Sequence, residues 1–161
     1  MTIQLPIVGL PHHRFWVPVQ DGDGRARALY HRHYSRRRYR DGRDPKLFVG
    51  PGEKIVLLGH DARALFVWRK FKSDDGQHGV NCAVFRNESP HRSSDMIREA
   101  MQIAWNRWPG ERFYTYVNPR KVTSPNPGYC FKCAGWQACG RSKRGLVILE
   151  AMPVEEMRIA A

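Results

Sequence analysis

The chain has 161 residues, 42% apolar and 11% aromatic, which supports one domain with a hydrophobic core and excludes wholesale disorder. Its 27 lysines and arginines against 15 acids give a net charge of +12; arginine dominates, and its planar fork favours a nucleic-acid partner over a generic solvated face. No apolar run approaches the roughly 18 residues of a membrane span, and the amino terminus lacks a charged region followed by an apolar signal core, so a cytoplasmic protein without a membrane partner is expected.

Residues 1–20 read as an extended, proline-punctuated lead-in that includes a short strand from Phe15 to Val19. Asp21-Gly22-Asp23-Gly24 is a turn. Eight arginines then fall between Arg25 and Arg43, interleaved with Tyr30, His31, His33, Tyr34 and Tyr39. Ala26, Leu29, Tyr30 and His33 share one helical face, which predicts a basic amphipathic helix near 24–34. The segment 36–42 is an exposed loop, and Arg36, Arg37, Arg38, Arg40 and Arg43 are candidate contacts to the backbone of double-stranded DNA.

Apolar β-rich runs predict strands at Lys46–Val49, Lys54–Leu58 and Ala64–Phe71, separated by glycine turns. The polar loop Ser73–Gly79 leads into a central strand, Val80–Phe85. Arg86 closes that strand, and Asn87-Glu88-Ser89-Pro90 breaks the pattern. Ser93, Ser94 and Asp95 offer caps for a helix over 93–108, whose apolar residues Ile97, Ala100, Met101, Ala104 and Trp108 recur at helical spacing. Pro109-Gly110 stops it. A strand follows at Arg112–Val117, then a short helix near 128–134, a hairpin pairing Trp136–Cys139 with Leu146–Ala151, and a tail over 152–161. This order fits one α/β (α+β) domain, a mixed and mostly antiparallel central sheet flanked by helices. Trp16 is a candidate for stacking on a base.

Cys82 sits in the central strand as a small apolar residue. Cys130 and Cys133 have the spacing of a first zinc pair, but Cys139 supplies no second pair, so packing cysteines in a reduced cytoplasm are favoured over a zinc knuckle.

The element order, with Asn126-Pro127-Gly128-Tyr129-Cys130-Phe131-Lys132-Cys133-Ala134-Gly135-Trp136 near its end, resembles the GNAT-type acyltransferases. Within that group, His33-Tyr34-Ser35 after the first helix, Arg86 at the end of the central strand and the Asn126–Trp136 segment are most similar to the Mom family of phage DNA-modification proteins. The resemblance implies a GNAT-like fold and a transferase-like enzyme. Its reaction would add a small carbamoylmethyl-type group to the N6 amine of adenine in DNA and protect the DNA from host restriction. It implies a metal- and substrate-site pair at His33 and Tyr34, an essential arginine at Arg86 and a late tyrosine at Tyr129. Asn118 and Ser124 are further candidate catalytic residues. Asn118 ends a strand where its amide could orient an adenine edge, and as a strand terminator before proline it needs no function. Ser124 adjoins a proline turn that also explains it.

Tyrosine oxygen and histidine nitrogen suit a hard, redox-capable ion, so Fe2+ held by His33, Tyr34 and Tyr129 is the expected metal. The alternative makes His33 and Tyr34 a half-buried pair supporting the basic helix. Adjacent residues on a regular helix point about 100° apart, so shared ligation requires the helix to end near His33. Arg86 is placed to grip a carboxylate or phosphate, or to pair with Glu88 or Glu99. The segment 86–95 has no glycine, so backbone amides are not expected to approach an acyl-CoA pyrophosphate in the usual GNAT manner. The acyl donor stays open, as do two other functions: an acyl-CoA-dependent N-acetyltransferase and a non-catalytic basic DNA-binding protein. The sequence also leaves a homodimer open.

Overall fold

Alternation of side chains between two sheet faces organises the described residues, 12–154 of this computed structural model. In chain order the elements are β1 (Trp16–Val19), α1 (Gly24–His31), β2 (Glu53–Gly59), β3 (Ala64–Lys70), β4 (Val80–Asn87), α2 (Ser93–Arg107), β5 (Phe113–Val117), α3 (Tyr129–Cys133), β6 (Gln137–Arg141) and β7 (Val147–Ala151). The strands form a seven-stranded sheet in the order β1-β2-β3-β4-β5-β7-β6. Every pairing is antiparallel except β4 with β5, which α2 connects. The expected α+β class, with a mixed and mostly antiparallel sheet, is therefore what the chain adopts. Residues 1–11 of the lead-in and 155–161 of the tail lie outside the described residues.

One face of the sheet packs Leu57, Phe66, Trp68, Cys82, Phe113 and Leu149 against Met96, Ile97, Ala100 and Ala104 of α2. Burying a large apolar side chain contributes about 1.5–3 kcal/mol, and this face holds most of the large ones. Trp16 belongs here too, 1% exposed with its indole N–H donating 2.8 Å to the Met96 carbonyl, so it is core and not a stacking platform. The opposite face packs Val56, Leu58, Leu65, Val67 and Val84 against Ala26, Leu29 and Tyr30 of α1. That helix covers β2, β3 and β4 only, and β5, β7 and β6 carry no helix on this side among the described residues.

Two expected details differ. Lys46–Val49 forms no strand, because the backbone N–H groups of Phe48 and Val49 donate to the Asp21 carboxylate instead of to a ladder. The amino end of α2 has Arg92 in the N-cap position with no side-chain cap, and Ser93 Oγ accepts from the Asn87 amide at 3.0 Å. Among the described residues no helix is long and apolar enough to cross a membrane.

Candidate functional site

The site begins where β4 and β5 part. Their parallel pairing runs Val80–Phe113, Asn81–Tyr114 and Cys82–Thr115, and stops there. Beside that point β4 carries a bulge: Val84 pairs with Val67 and Cys82 with Trp68, leaving Ala83 as an extra residue. A bulge bends its strand and increases local twist, and the carboxyl halves of β4 and β5 diverge beyond it. The start of the pair depends on Gly79, whose φ of +109° brings the backbone hard against the Arg112 carbonyl, where a Cβ would collide.

The gap opens a hollow of about 170 Å³ through the sheet, with Ala83, Val84, Phe85, Thr115 and Val117 on its strand walls and Phe131 and Cys130 of α3 behind. Its lip is the turn after α1. That helix ends at His31, with Arg32 as the C-cap, so His33 and Tyr34 leave the helical path together, as shared use of one site requires. A second hollow of about 380 Å³ adjoins the first on the α1 side, lined by Asn81, Tyr116, Asn118, Lys121, Arg144 and Leu146. Tyr34, Ser35, Cys82, Ala83 and Tyr116 wall both.

His33 is fixed by its neighbours. Its Nδ1 lies 3.1 Å from the Ser35 backbone N–H and 2.7 Å from Ser35 Oγ. A backbone N–H can only donate, so Nδ1 is the acceptor and the proton sits on Nε2, which faces the Phe85 carbonyl. Burial, with the Arg86 charge second, lowers the imidazole pKa from 6.5 to about 4. His33 is therefore neutral at physiological pH. Tyr34 stacks on it with ring centroids 4.5 Å apart and accepts the Asn118 backbone N–H at 3.3 Å. Burial raises the Tyr34 phenol pKa, so it too is neutral.

Arg86 adjoins this pair without lining either hollow. Its Nε donates to Glu88 at 2.5 Å and its Nη1 to the Arg32 carbonyl at 2.8 Å. Glu88 also receives a two-pronged contact from Arg32, at 2.8 and 3.0 Å. Arg32 and then Arg86 hold the Glu88 carboxyl at a pKa of about 2. The guanidinium thus ties the carboxyl end of α1 to the end of β4 and fixes the turn that carries His33 and Tyr34.

The other expected site residues separate. Tyr129 is 60% exposed and lines neither hollow; its hydroxyl lies against the Cys133 thiol, on the side of Arg92. Gly128, with φ +77° and its α-carbon pressed on Leu149, together with the burial of Phe131, sets the rotation of α3 that turns Tyr129 outward. Ser124 is exposed and serves its own turn, with Oγ donating to the Asn126 carbonyl and accepting the Asn126 N–H. Asn118 lies in the second hollow, where its side-chain oxygen accepts the Arg120 N–H.

The expected iron donors therefore do not converge. His33 offers Nδ1 to Ser35, Tyr34 engages Asn118, and Tyr129 points away. This donor set does not fit a shared ion. Cys82 is buried with its thiol pKa raised by burial, and Cys139 lies on β6 against Arg112 and the Ile148 carbonyl. Among the described residues no three His, Cys, Asp or Glu side chains gather as metal donors.

In the arginine-rich loop, Arg37 and Arg43 flank the Tyr39 ring at 5.0 and 4.1 Å. Arg36 approaches Asp44 at 3.9 Å and Arg43 approaches Asp41 at 3.5 Å, whereas Arg38 and Arg40 are exposed with no carboxylate within 4 Å among the described residues. Three contributors went unassigned from the sequence. Ser35 walls these two hollows and another beneath the arginine loop. Asn81 and the Lys121–Arg144 pair complete the second hollow. The polar residue inside the apolar run Val80–Phe85 was the available signal for Asn81, and Ser35 stood in the His33-Tyr34-Ser35 segment without a role of its own; nothing local marks the Lys121–Arg144 pair. No family model, curated protein or solved structure matches the chain.

Proposed function

We propose that the protein is a DNA-modifying enzyme of the Mom type, which adds a small carbamoylmethyl-type group to the N6 amine of adenine. The reading rests on the resemblance of His33-Tyr34-Ser35, Arg86 and the Asn126–Trp136 segment to that family. The observation that carries it is the parting of β4 and β5 beneath a neutral His33–Tyr34 lip, with the arginine-rich loop beginning at the next turn. An exocyclic amine inside a duplex is out of reach, so the target base leaves the stack to enter such a cleft.

The residues at the lip suit transfer to an amine. As the amine nitrogen bonds to the electrophilic carbon of an activated donor, the donor's leaving group departs with the electron pair, and the nitrogen must shed a proton. Ser35 Oγ can take that proton while passing its own to Nδ1 of His33, 2.7 Å away. The Ser35 backbone N–H, donating to Nδ1, holds the ring in the tautomer that this transfer needs. Arg86 acts through the turn that it anchors, as a positioning residue.

Co-expression with a plasmid, followed by digestion of the DNA to nucleosides and mass spectrometry, tests the proposal. A modified deoxyadenosine, lost in Ser35→Ala, is the expected result. Unmodified adenine with folded protein present would count against it. Retained DNA affinity would then favour a non-catalytic binding protein. Tight acetyl-CoA binding without DNA affinity would favour an N-acetyltransferase, a reading that the glycine-free 86–95 segment does not support.

A further inference from the structure

The half of the sheet that α1 leaves uncovered carries a second set of cations. Arg120 and Lys121 follow β5, Arg141 ends β6, and Lys143 and Arg144 lie in the β6–β7 turn. All five are exposed, and none has a carboxylate within 4 Å among the described residues. The contrast with Arg32, Arg86 and Arg112, each paired with a glutamate, separates structural arginines from these.

The five come from two segments distant in sequence, yet Lys121 and Arg144 line one hollow, whose opposite wall is Tyr34 and Ser35. Arg36 follows Ser35 directly. The hollow of about 380 Å³ falls within the range of small-molecule sites, about 300–1,000 Å³. Asn81, 8% exposed, forms part of its floor, and its amide oxygen has no hydrogen-bond partner among the described residues. An amide with spare hydrogen-bonding capacity between two positive rims matches a nucleobase flanked by its phosphates. The groove continues past Tyr116 and Leu146 to Arg141 and Lys143. Asp74 and Asp75 stand on its far side, where Asp75 is occupied by the Tyr116 hydroxyl at 2.5 Å.

We infer that the β6–β7 turn and the segment after β5 form a second phosphate-gripping wall, facing the 36–43 loop, so that an unstacked DNA strand runs between two basic rims with one base in the hollow over Asn81. This inference takes its substrate class from the function proposed above. The first wall is the one that the sequence advertises; the second is assembled only by the fold.

Fluorescence anisotropy with a labelled single-stranded oligodeoxynucleotide of about 16 nucleotides tests it. The proteins compared are wild type, Lys121→Gln/Arg144→Gln, and a charge-matched control, Arg98→Gln/Arg107→Gln, on α2 across the sheet. The wall variant is expected to bind about tenfold more weakly, and its slope of log affinity against log salt should shrink by about 1.4, two phosphates at about 0.7 each. The control should match wild type, and circular dichroism should show all three folded. A wall variant indistinguishable from the control overturns the second wall alone. A wild type that binds no oligonucleotide overturns both the wall and the DNA-directed function. Binding through the wall with no modified nucleoside in the plasmid assay keeps the wall and overturns the enzymatic reading. Should Lys121→Gln/Arg144→Gln unfold, Arg141→Gln/Lys143→Gln carries the same expectation and the same refutation.

Discussion

Acidification should weaken this fold through His33 in a way that one substitution isolates. The ring is held neutral by burial and then by the Arg86 charge, with a backbone N–H aimed at Nδ1. Its pKa is about 4 in the folded protein and near 6.5 in the unfolded chain. Because the folded value is depressed, the unfolded state takes up the proton first as pH falls. The associated stability is present above pH 6.5 and is lost between 6.5 and 4. Linkage over the interval from pH 7.5 to pH 5 gives a loss of about 2 kcal/mol from this residue. In His33→Asn the side-chain oxygen can accept the Ser35 N–H and no titration remains. Urea unfolding of both proteins at the two pH values should therefore show wild type losing about 2 kcal/mol more than the variant. Parallel pH dependence in the two proteins, or a His33 proton resonance titrating near 6.5, would refute the depressed pKa of His33.

Glu88→Gln should cost about 1 kcal/mol in chemical denaturation at pH 7, since solvent screens this partly exposed cluster. Its native carboxyl has a lowered pKa of about 2, so the contribution of Glu88 is present above its unfolded value near 4.5 and fades as pH falls from there toward 2. Gly128→Ala combines a left-handed φ of +77° with a Cβ driven into Leu149, and a loss of about 1–3 kcal/mol is expected in thermal melts. Tyr129→Phe should leave plasmid modification unchanged whereas Ser35→Ala abolishes it; equal losses would place Tyr129 back in the cleft. Thiol titration of the native protein should find Cys133 and Cys139 reactive and Cys82 silent until denaturant is added.

Strand alternation and the helical spacing of Ile97, Ala100, Met101 and Ala104 made most of the sheet and α2 legible in the sequence. Lys46–Val49 misled because its apolar, β-rich run is genuine, with Val49 buried, while its amides serve Asp21. The His33–Tyr34 turn was legible only as a condition on shared ligation, while the helical spacing itself carried the helix to 34; the helix ends at His31. Tyr129 was not, since the rotation of α3 follows from the seating of Phe131 and Gly128 against distant strands. Nor could the side of the sheet taken by Asn81 be read, because the bulge beside it is a property of pairing with β3. Lys121 and Arg144 are brought together only once β5 and β7 pair.

Ala83 carries an unusual burden for so plain a residue. On either side of it the inward and outward positions of β4 keep their proper neighbours, Cys82 with Trp68 and Val84 with Val67. Excising it would leave every apolar side chain on its accustomed face while straightening the strand. The straightened edge would zip onward along β5 toward Tyr116, sealing the aperture from within. Such a shortened chain should melt no lower than its parent and, on the function proposed above, leave plasmid adenine unmodified. In this molecule an open cleft and a closed slab differ by a single supernumerary alanine.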